Sequence, residues 1–299
     1  NFGGNLQTLV RHYQKAFALL RMALTVPRFD VEPLERIRAQ ILVGLKQDSE
    51  TPIRIASKTL RKVLYGDHPY GKSVKGTPNS VKAITTKDLQ AFMKRRLGRN
   101  NLVISVVGDI LPKKLITVLD ATFGSLPSKA ADWQLAPRQA NTEGQTIIID
   151  KNIPQSTIIF ADQGVLRNDP DFYAAHIMNH ILGGGGFTSR LFSEIREKRG
   201  LAYSISSGLS PRRASATLVG GAGTANARVK ETLNIIKREW EKMARHGVTE
   251  NELNDAKTYL TGAYPLRFSE SGRIAHMLLG IQLAGLDVDY VRNRNGLIE

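Results

Sequence analysis

Two histidines, a run of four glycines, and an arginine seven residues before a tyrosine are the side chains best placed to do chemistry. His176 and His180 stand four apart in a stretch of helical periodicity, the spacing that brings two imidazoles to one metal ion. No carboxylate joins them in an H-E-x-x-H or H-x-x-E-H pattern. Their neighbours Ile177, Met178 and Ile181 read as core, so two packed histidines are preferred over a metal site. Gly183-Gly184-Gly185-Gly186, followed by Phe187-Thr188-Ser189-Arg190, could open a helix onto a phosphate. It lacks the Lys-Ser/Thr of a P-loop, and a flexible turn along which a peptide passes is the better reading. Arg196 offers five donors and Tyr203 a phenolic hydroxyl, a pair suited to a peptide carbonyl or a developing oxyanion. On spacing alone, a surface arginine and a half-buried strand tyrosine are preferred. No G-x-S-x-G elbow supports a serine hydrolase. The absence of cysteine excludes disulfides, thiol nucleophiles and iron–sulfur sites.

The elements that must position these residues follow from hydrophobic spacing. Helical periodicity covers Asn5 to Thr25, stopped by Pro27. A second helix opens near Pro33 with the stripe Leu34, Ile37, Ile41 and Leu45. Further helices are expected over Pro52 to Leu64, Thr86 to Leu97 and Pro112 to Phe123. Asn101 to Asp109, rich in β-branched residues and ended by Gly108, reads as a buried strand. Residues 125–145 hold two prolines and no sustained periodicity, and read as an interdomain linker. Strands are then expected at Gln145 to Ile149, Ser156 to Ala161, Leu201 to Leu209 and Ala216 to Ala222. Between them come helices from about Asp171 to Leu182 and Thr188 to Arg199, with Gly200 as a left-handed cap. A helix from about Ala227 to Arg245 should bury Leu233, Ile236, Trp240 and Met243, and Thr249 to Glu252 forms a capping box. The class is α+β.

The chain has 299 residues, 41% of them hydrophobic, with a formal net charge of +15. That composition excludes wholesale disorder, and the length suits two domains. The window Thr51 to Asn100 carries 12 basic and 2 acidic residues. A solvated helical face is preferred there over a nucleic-acid footprint or a surface for an acidic partner. No apolar run reaches the ~20 residues needed to cross a bilayer. Asn1-Phe2-Gly3-Gly4 shows neither an initiator methionine nor a signal pattern, which fits a mature or trimmed piece.

The stretch Leu182 to Ser207, LGGGGFTSRLFSEIREKRGLAYSISS, closely resembles the C-terminal-domain signature of the pitrilysin-type (inverzincin) metallopeptidases, which include mitochondrial processing peptidases and bacterial relatives. His68-Pro-Tyr-Gly71, Gly76-Thr-Pro78 and the 101–109 run resemble the later part of that family's N-terminal domain. Gly247 to Leu253 with Ala256-Lys257 resembles its late C-terminal domain. The resemblance implies two homologous domains, each an antiparallel-rich sheet flanked by helices: residues 1–124 as the later part of the first, 125–145 as linker, and 146–299 as the second. It places the family's H-x-x-E-H motif upstream of Asn1. Where members read E-R-x-R-x-x-I-L-x-E, this chain reads Glu35-Arg-Ile-Arg-Ala-Gln-Ile-Leu-Val-Gly44. The implied zinc-ligand position is therefore Gly44, and the supporting carboxylate position is Ile37. Arg196 and Tyr203 match the family's substrate-holding pair, and Gly183 to Gly186 falls where the family lines its peptide chamber. The expectation is a chain with no metal or cofactor of its own, the non-catalytic subunit of a heteromeric zinc peptidase. It would pair with a zinc-bearing paralogue, or with itself, and take peptide rather than nucleic acid, in a bacterial periplasm or envelope. The alternative is a structural or assembly protein of the core type, without a proteolytic role.

Overall fold

Helices form where apolar residues recur at helical spacing, in a computed structural model that describes residues 2–299. They are α1 (Tyr13–Thr25), α2 (Val31–Glu50), α3 (Pro52–Tyr65), α4 (Pro78–Ala83), α5 (Thr86–Arg96) and α6 (Pro112–Phe123). After the strand β1 (Gln155–Gln163) come α7 (Phe172–Asn179) and the short α8 (Arg190–Phe192). The hairpin β2 (Ala202–Arg212) and β3 (Ser215–Ala225) precedes α9 (Val229–His246), α10 (Glu250–Gly262), α11 (Ser271–Leu283) and α12 (Tyr290–Asn293). The class is α+β, with one antiparallel sheet in the order β1-β3-β2. No helix among the described residues is long and apolar enough to cross a membrane.

The chain divides into two compact units. The first takes residues up to Leu42 with Pro78–Gln134 and Pro265–Asp287; the second takes Val43–Thr77, Leu135–Tyr264 and Val288–Glu299. In the first unit α1 packs against α6. Arg38 donates to the carbonyls of Val81, of Lys82 at 3.1 Å and of Ile84 at 2.8 Å, placing a cation at the negative end of α4.

Every described strand belongs to the second unit, so a sheet in each half is not found. Two expected strands are corrected. Residues 102–107 and 145–150 carry strand propensity but pair with no neighbour among the described residues. A strand is stabilised by its ladder and its packed face rather than by propensity. Ile148 is accordingly 87% exposed. The first helix also starts later than its apolar spacing suggests, at Tyr13 after a short turn. Residues 125–154 hold no regular element, yet the backbone is fixed. Arg99 N donates to Pro127 O at 2.8 Å in the first unit, and Asn141 N to Leu64 O at 2.9 Å in the second.

The second unit holds the main core, which includes Ile181, Leu191, Ile195, Ile205, Ile235 and Leu260; α7, α8 and α9 meet the sheet there, and α10 packs on α7. Leu191 and Ile195 are fully buried, worth roughly 1.5–3 kcal/mol each. Helix α9 buries Thr232, Ile235, Ile236, Glu239 and Met243. Leu233 and Trp240 are only partly covered, so the face is rotated by about one residue from the expected stripe. The rotation follows from a buried hydroxyl chain. Thr232 Oγ1 meets Thr224 Oγ1 at 3.3 Å, and Thr224 Oγ1 donates to Leu201 O at 2.6 Å, joining α9 to the start of β2.

The helices on either side of the glycine run are not regular. His180–Gly184 and Ser193–Glu197 are π turns. The first lies so close to β2 that a Cβ on Gly183 would stand 2.4 Å from Ser207 Oγ and 2.9 Å from Ser207 N. Ser207 Oγ donates to Asn179 Oδ1 at 2.8 Å, and both residues are buried. Further on, Arg190 forms a two-pronged ion pair with Glu252, 2.6 Å on each prong, and donates to Gly247 O at 3.0 Å. Glu252 is also the reciprocal partner of Thr249 in the expected capping box at the start of α10.

The Arg190 guanidinium, with help from Thr249, holds the Glu252 carboxyl down at about 2. A depressed carboxylate contributes stability above its unfolded pKa near 4.5 that is lost as pH falls toward 2. Glu252→Gln should lower stability by about 2 kcal/mol at neutral pH and flatten the acid limb of the unfolding midpoint between those values, read by denaturant titration. Gly183→Ala should cost several-fold more than Gly208→Ala, whose added Cβ meets nothing within 4 Å. Thermal melts of the two variants make that comparison.

Candidate functional site

The site is built around the turn that joins the second π helix to β2. Lys198 N donates to Ser193 O at 3.0 Å, Gly200 N to Arg196 O at 3.0 Å, and Leu201 N to Ile195 O at 2.9 Å. These nested bonds are one residue wider than an ordinary Schellman closure, which is the geometric effect of a π turn. Gly200 takes φ +58°, the left-handed conformation expected of it. The chain then enters β2, where Ala202 pairs with Thr224 and Ser204 with Gly223, leaving Tyr203 unmatched. Tyr203 is thus the extra residue of a β-bulge, a device that re-aims a side chain out of strand alternation. It is 81% exposed, and its hydroxyl has no hydrogen-bond partner among the described residues.

Arg196 is also exposed and makes no ion pair among the described residues, although acids are close in sequence. The reason lies in its neighbours. Glu194 is claimed by Lys198, by Arg199 at 2.6 Å and by Arg238 at 3.6 Å. The Lys198 ammonium and then Arg199 hold the Glu194 carboxyl below its usual range. The Arg196 guanidinium lies instead over two rings, 4.8 Å from Phe192 and 5.7 Å from Phe187. Those rings meet edge-on at 4.8 Å. Phe192 is buried, while Phe187, the residue after the glycine run, is 70% exposed. Arg196 is therefore aimed without its hydrogen-bonding capacity being spent.

The glycine run lies beside this arrangement. Gly183 is buried against β2, Gly184 and Gly186 face solvent, and Gly186 takes φ +61°. The structure thus links three of the expected features. Phe187 joins the glycine run to Arg196, and β2 joins the run to Tyr203. Phe187, Asn179 and Ser207 were not singled out from the sequence. An aromatic residue directly after four glycines was the available signal for the first; the other two needed the tertiary pairing.

The histidines do not converge on a metal. His176 stacks on Phe172 at 6.2 Å and His180 on Tyr259 at 5.2 Å, and burial lowers the His180 pKa. Among the described residues no three His, Cys, Asp or Glu side chains are grouped so as to hold a metal ion. Gly44 lies in α2, in another neighbourhood of the second unit. Its missing Cβ would stand 3.8 Å from Lys75 Nζ, and that ammonium pairs with Asp48 at 2.6 Å. Lys75 keeps the Asp48 carboxyl below its ordinary value. Ile37, earlier on the helix, is 49% exposed. A residue without a side-chain donor atom cannot serve as a side-chain zinc ligand.

Comparison with known proteins gives the setting of this arrangement. The family model described as the peptidase M16 inactive domain matches residues 83–260. An uncharacterized zinc protease of Streptomyces coelicolor is 29% identical over 262 residues, covering 85% of this chain and 57% of that protein. The non-peptidase homolog YmxG of Helicobacter pylori is 26% identical over 263 residues, covering 88% and 60%. The chain thus spans less than two thirds of the length of these relatives. The crystal structure of a peptidase M16 inactive domain from Pseudomonas fluorescens superposes with a TM-score of 0.86 at 29% identity, over 95% of this chain and 68% of that one. A chain of Complex III2 from Candida albicans shares the fold with a TM-score of 0.78 at 18% identity, over 98% and 72%. The family match covers more than half of the residues and includes the glycine run, Arg196 and Tyr203, and on that ground the chain belongs to the peptidase M16 inactive-domain family.

Proposed function

We propose that this chain is a non-catalytic subunit of a two-chain zinc metallopeptidase and contributes Arg196 and Tyr203 to hold the peptide. The observation that carries the reading is the pair itself. An exposed guanidinium with no carboxylate partner among the described residues and an exposed phenol on a bulge flank one turn, beside a glycine run. Both groups donate hydrogen bonds, so they suit a peptide carbonyl or the oxyanion that forms from it. The glycines remove side chains from the path of an extended backbone. On this reading residues 1–124 are the later part of one peptidase-like domain and residues 146–299 belong to a second, joined by 125–145.

The metal, its water and the general base are assigned to a zinc-bearing paralogue. Gly44 supports that division, because glycine has no side-chain donor atom to offer a metal. The relatives described above include both an uncharacterized zinc protease and a non-peptidase homolog. A structural role is the second reading, favoured by the fold shared with a chain of Complex III2.

The test is reconstitution. The chain alone should cleave no peptide and retain no zinc after dialysis, and addition of a paralogue bearing H-x-x-E-H should give cleavage. In the reconstituted pair Arg196→Ala or Tyr203→Phe should lower kcat/KM by about 10²-fold while leaving complex formation intact, read by size exclusion alongside the assay. Unchanged turnover in both variants would remove the site assignment. A stable complex that never cleaves would favour the structural reading. One tightly held zinc per isolated chain, with robust cleavage, would overturn both.

A further inference from the structure

Among the described residues, none of the cations at the end of α5 forms an ion pair with an acid of its own unit. Lys94, Arg95, Arg96 and Arg99 fall within six residues. Ion pairs among the described residues of the first unit include Arg28–Asp30, Arg36–Glu32, Arg38–Glu35, Lys129–Asp132 and Arg273–Glu270, and none of these uses the four cations. The one acid of α5, Asp88, is committed at the opposite end, where it accepts from Thr85 N at 2.8 Å and Thr85 Oγ1 at 2.7 Å. Lys94, Arg95 and Arg99 are exposed.

An aromatic residue completes the patch. The Arg96 guanidinium lies 5.7 Å from the Trp133 ring, which is 51% exposed. Two backbone bonds hold the segments together, Ala131 N to Arg95 O and Arg99 N to Pro127 O, each 2.8 Å. Exposed cations around a half-exposed indole suit one kind of surface. Lysine and arginine gain Coulomb energy against anionic headgroups, and an indole gains from the interfacial layer between water and hydrocarbon. A nucleic acid would use the cations but has little use for this indole, because Arg96 already occupies one face needed for base stacking.

We propose that the patch of Lys94, Arg95, Arg96, Arg99 and Trp133 docks the chain on the surface of a bilayer containing anionic lipid. The docking is peripheral: headgroup phosphates meet the cations, and the Trp133 ring enters the interfacial layer. The patch shares no residue with the Arg196 and Tyr203 site, so the two proposals stand or fall separately.

The test is co-sedimentation of the chain with vesicles of phosphatidylcholine, with and without phosphatidylglycerol. Binding should require phosphatidylglycerol and weaken as salt is raised. Each cation near such a surface contributes about fivefold in partitioning, so the triple variant Lys94→Gln, Arg95→Gln, Arg99→Gln should lose about a hundredfold. Tryptophan emission should shift to the blue on binding, and Trp133→Phe, which leaves only Trp240, should abolish the shift. Circular dichroism melts establish that both variants remain folded. Equal binding to neutral vesicles, full binding by the triple variant, or an emission shift that survives Trp133→Phe would each overturn the proposal. So would preferential capture of a single- or double-stranded oligonucleotide, or of polyglutamate, with no vesicle binding.

Discussion

The close approach of the first π turn to β2 is the constraint on which the candidate site depends. Gly183 lets helix backbone lie on strand backbone, and the buried Asn179–Ser207 bond fixes the two in one register. Buried polar pairs of this kind are directional, whereas apolar contacts would tolerate sliding along the strand. The glycine run is therefore located by one lock and Tyr203 by the same strand. Arg196 is carried by the second π turn, anchored through fully buried Leu191 and Ile195. The functional groups are exposed; the apparatus that aims them is buried.

Electrostatics in the same region divides work between neighbouring acids and bases. Glu194 collects three cations and Glu252 binds Arg190, so the local carboxylates are spent on the scaffold. Arg196 remains over aromatic rings, where a guanidinium keeps its in-plane donors available. This arrangement suits a binding group better than a general acid or base, because arginine does not change protonation under physiological conditions.

Much of this was legible in the sequence, and the reason differs from one element to another. Helix α5 and the Thr249 capping box were readable because periodicity and caps are local properties. Gly200 was readable because a helix followed by an alternating strand demands a left-handed residue between them. The bulge at Tyr203 was not, since it exists only as a mismatch with β3. Nor was the aromatic seat of Arg196, which needs Phe187 and Phe192 brought face to edge. Residues 102–107 and 145–150 misled in the opposite direction: their composition is that of strands, and composition cannot supply a neighbour. Lys75 gave no signal as the occupant of the space beside Gly44, because 31 residues separate them and only tertiary structure joins them.

The unmatched residue in β2 also bears on how the molecule behaves in a crowd. β2 is paired on one side only among the described residues, so its outer row of amide and carbonyl groups could template another chain. The bulge at Tyr203 breaks the spacing of that row near its start, and Pro211 removes a donor near its end. The feature that turns a phenol outward thus also shortens the stretch of main chain on which unwanted self-association could nucleate.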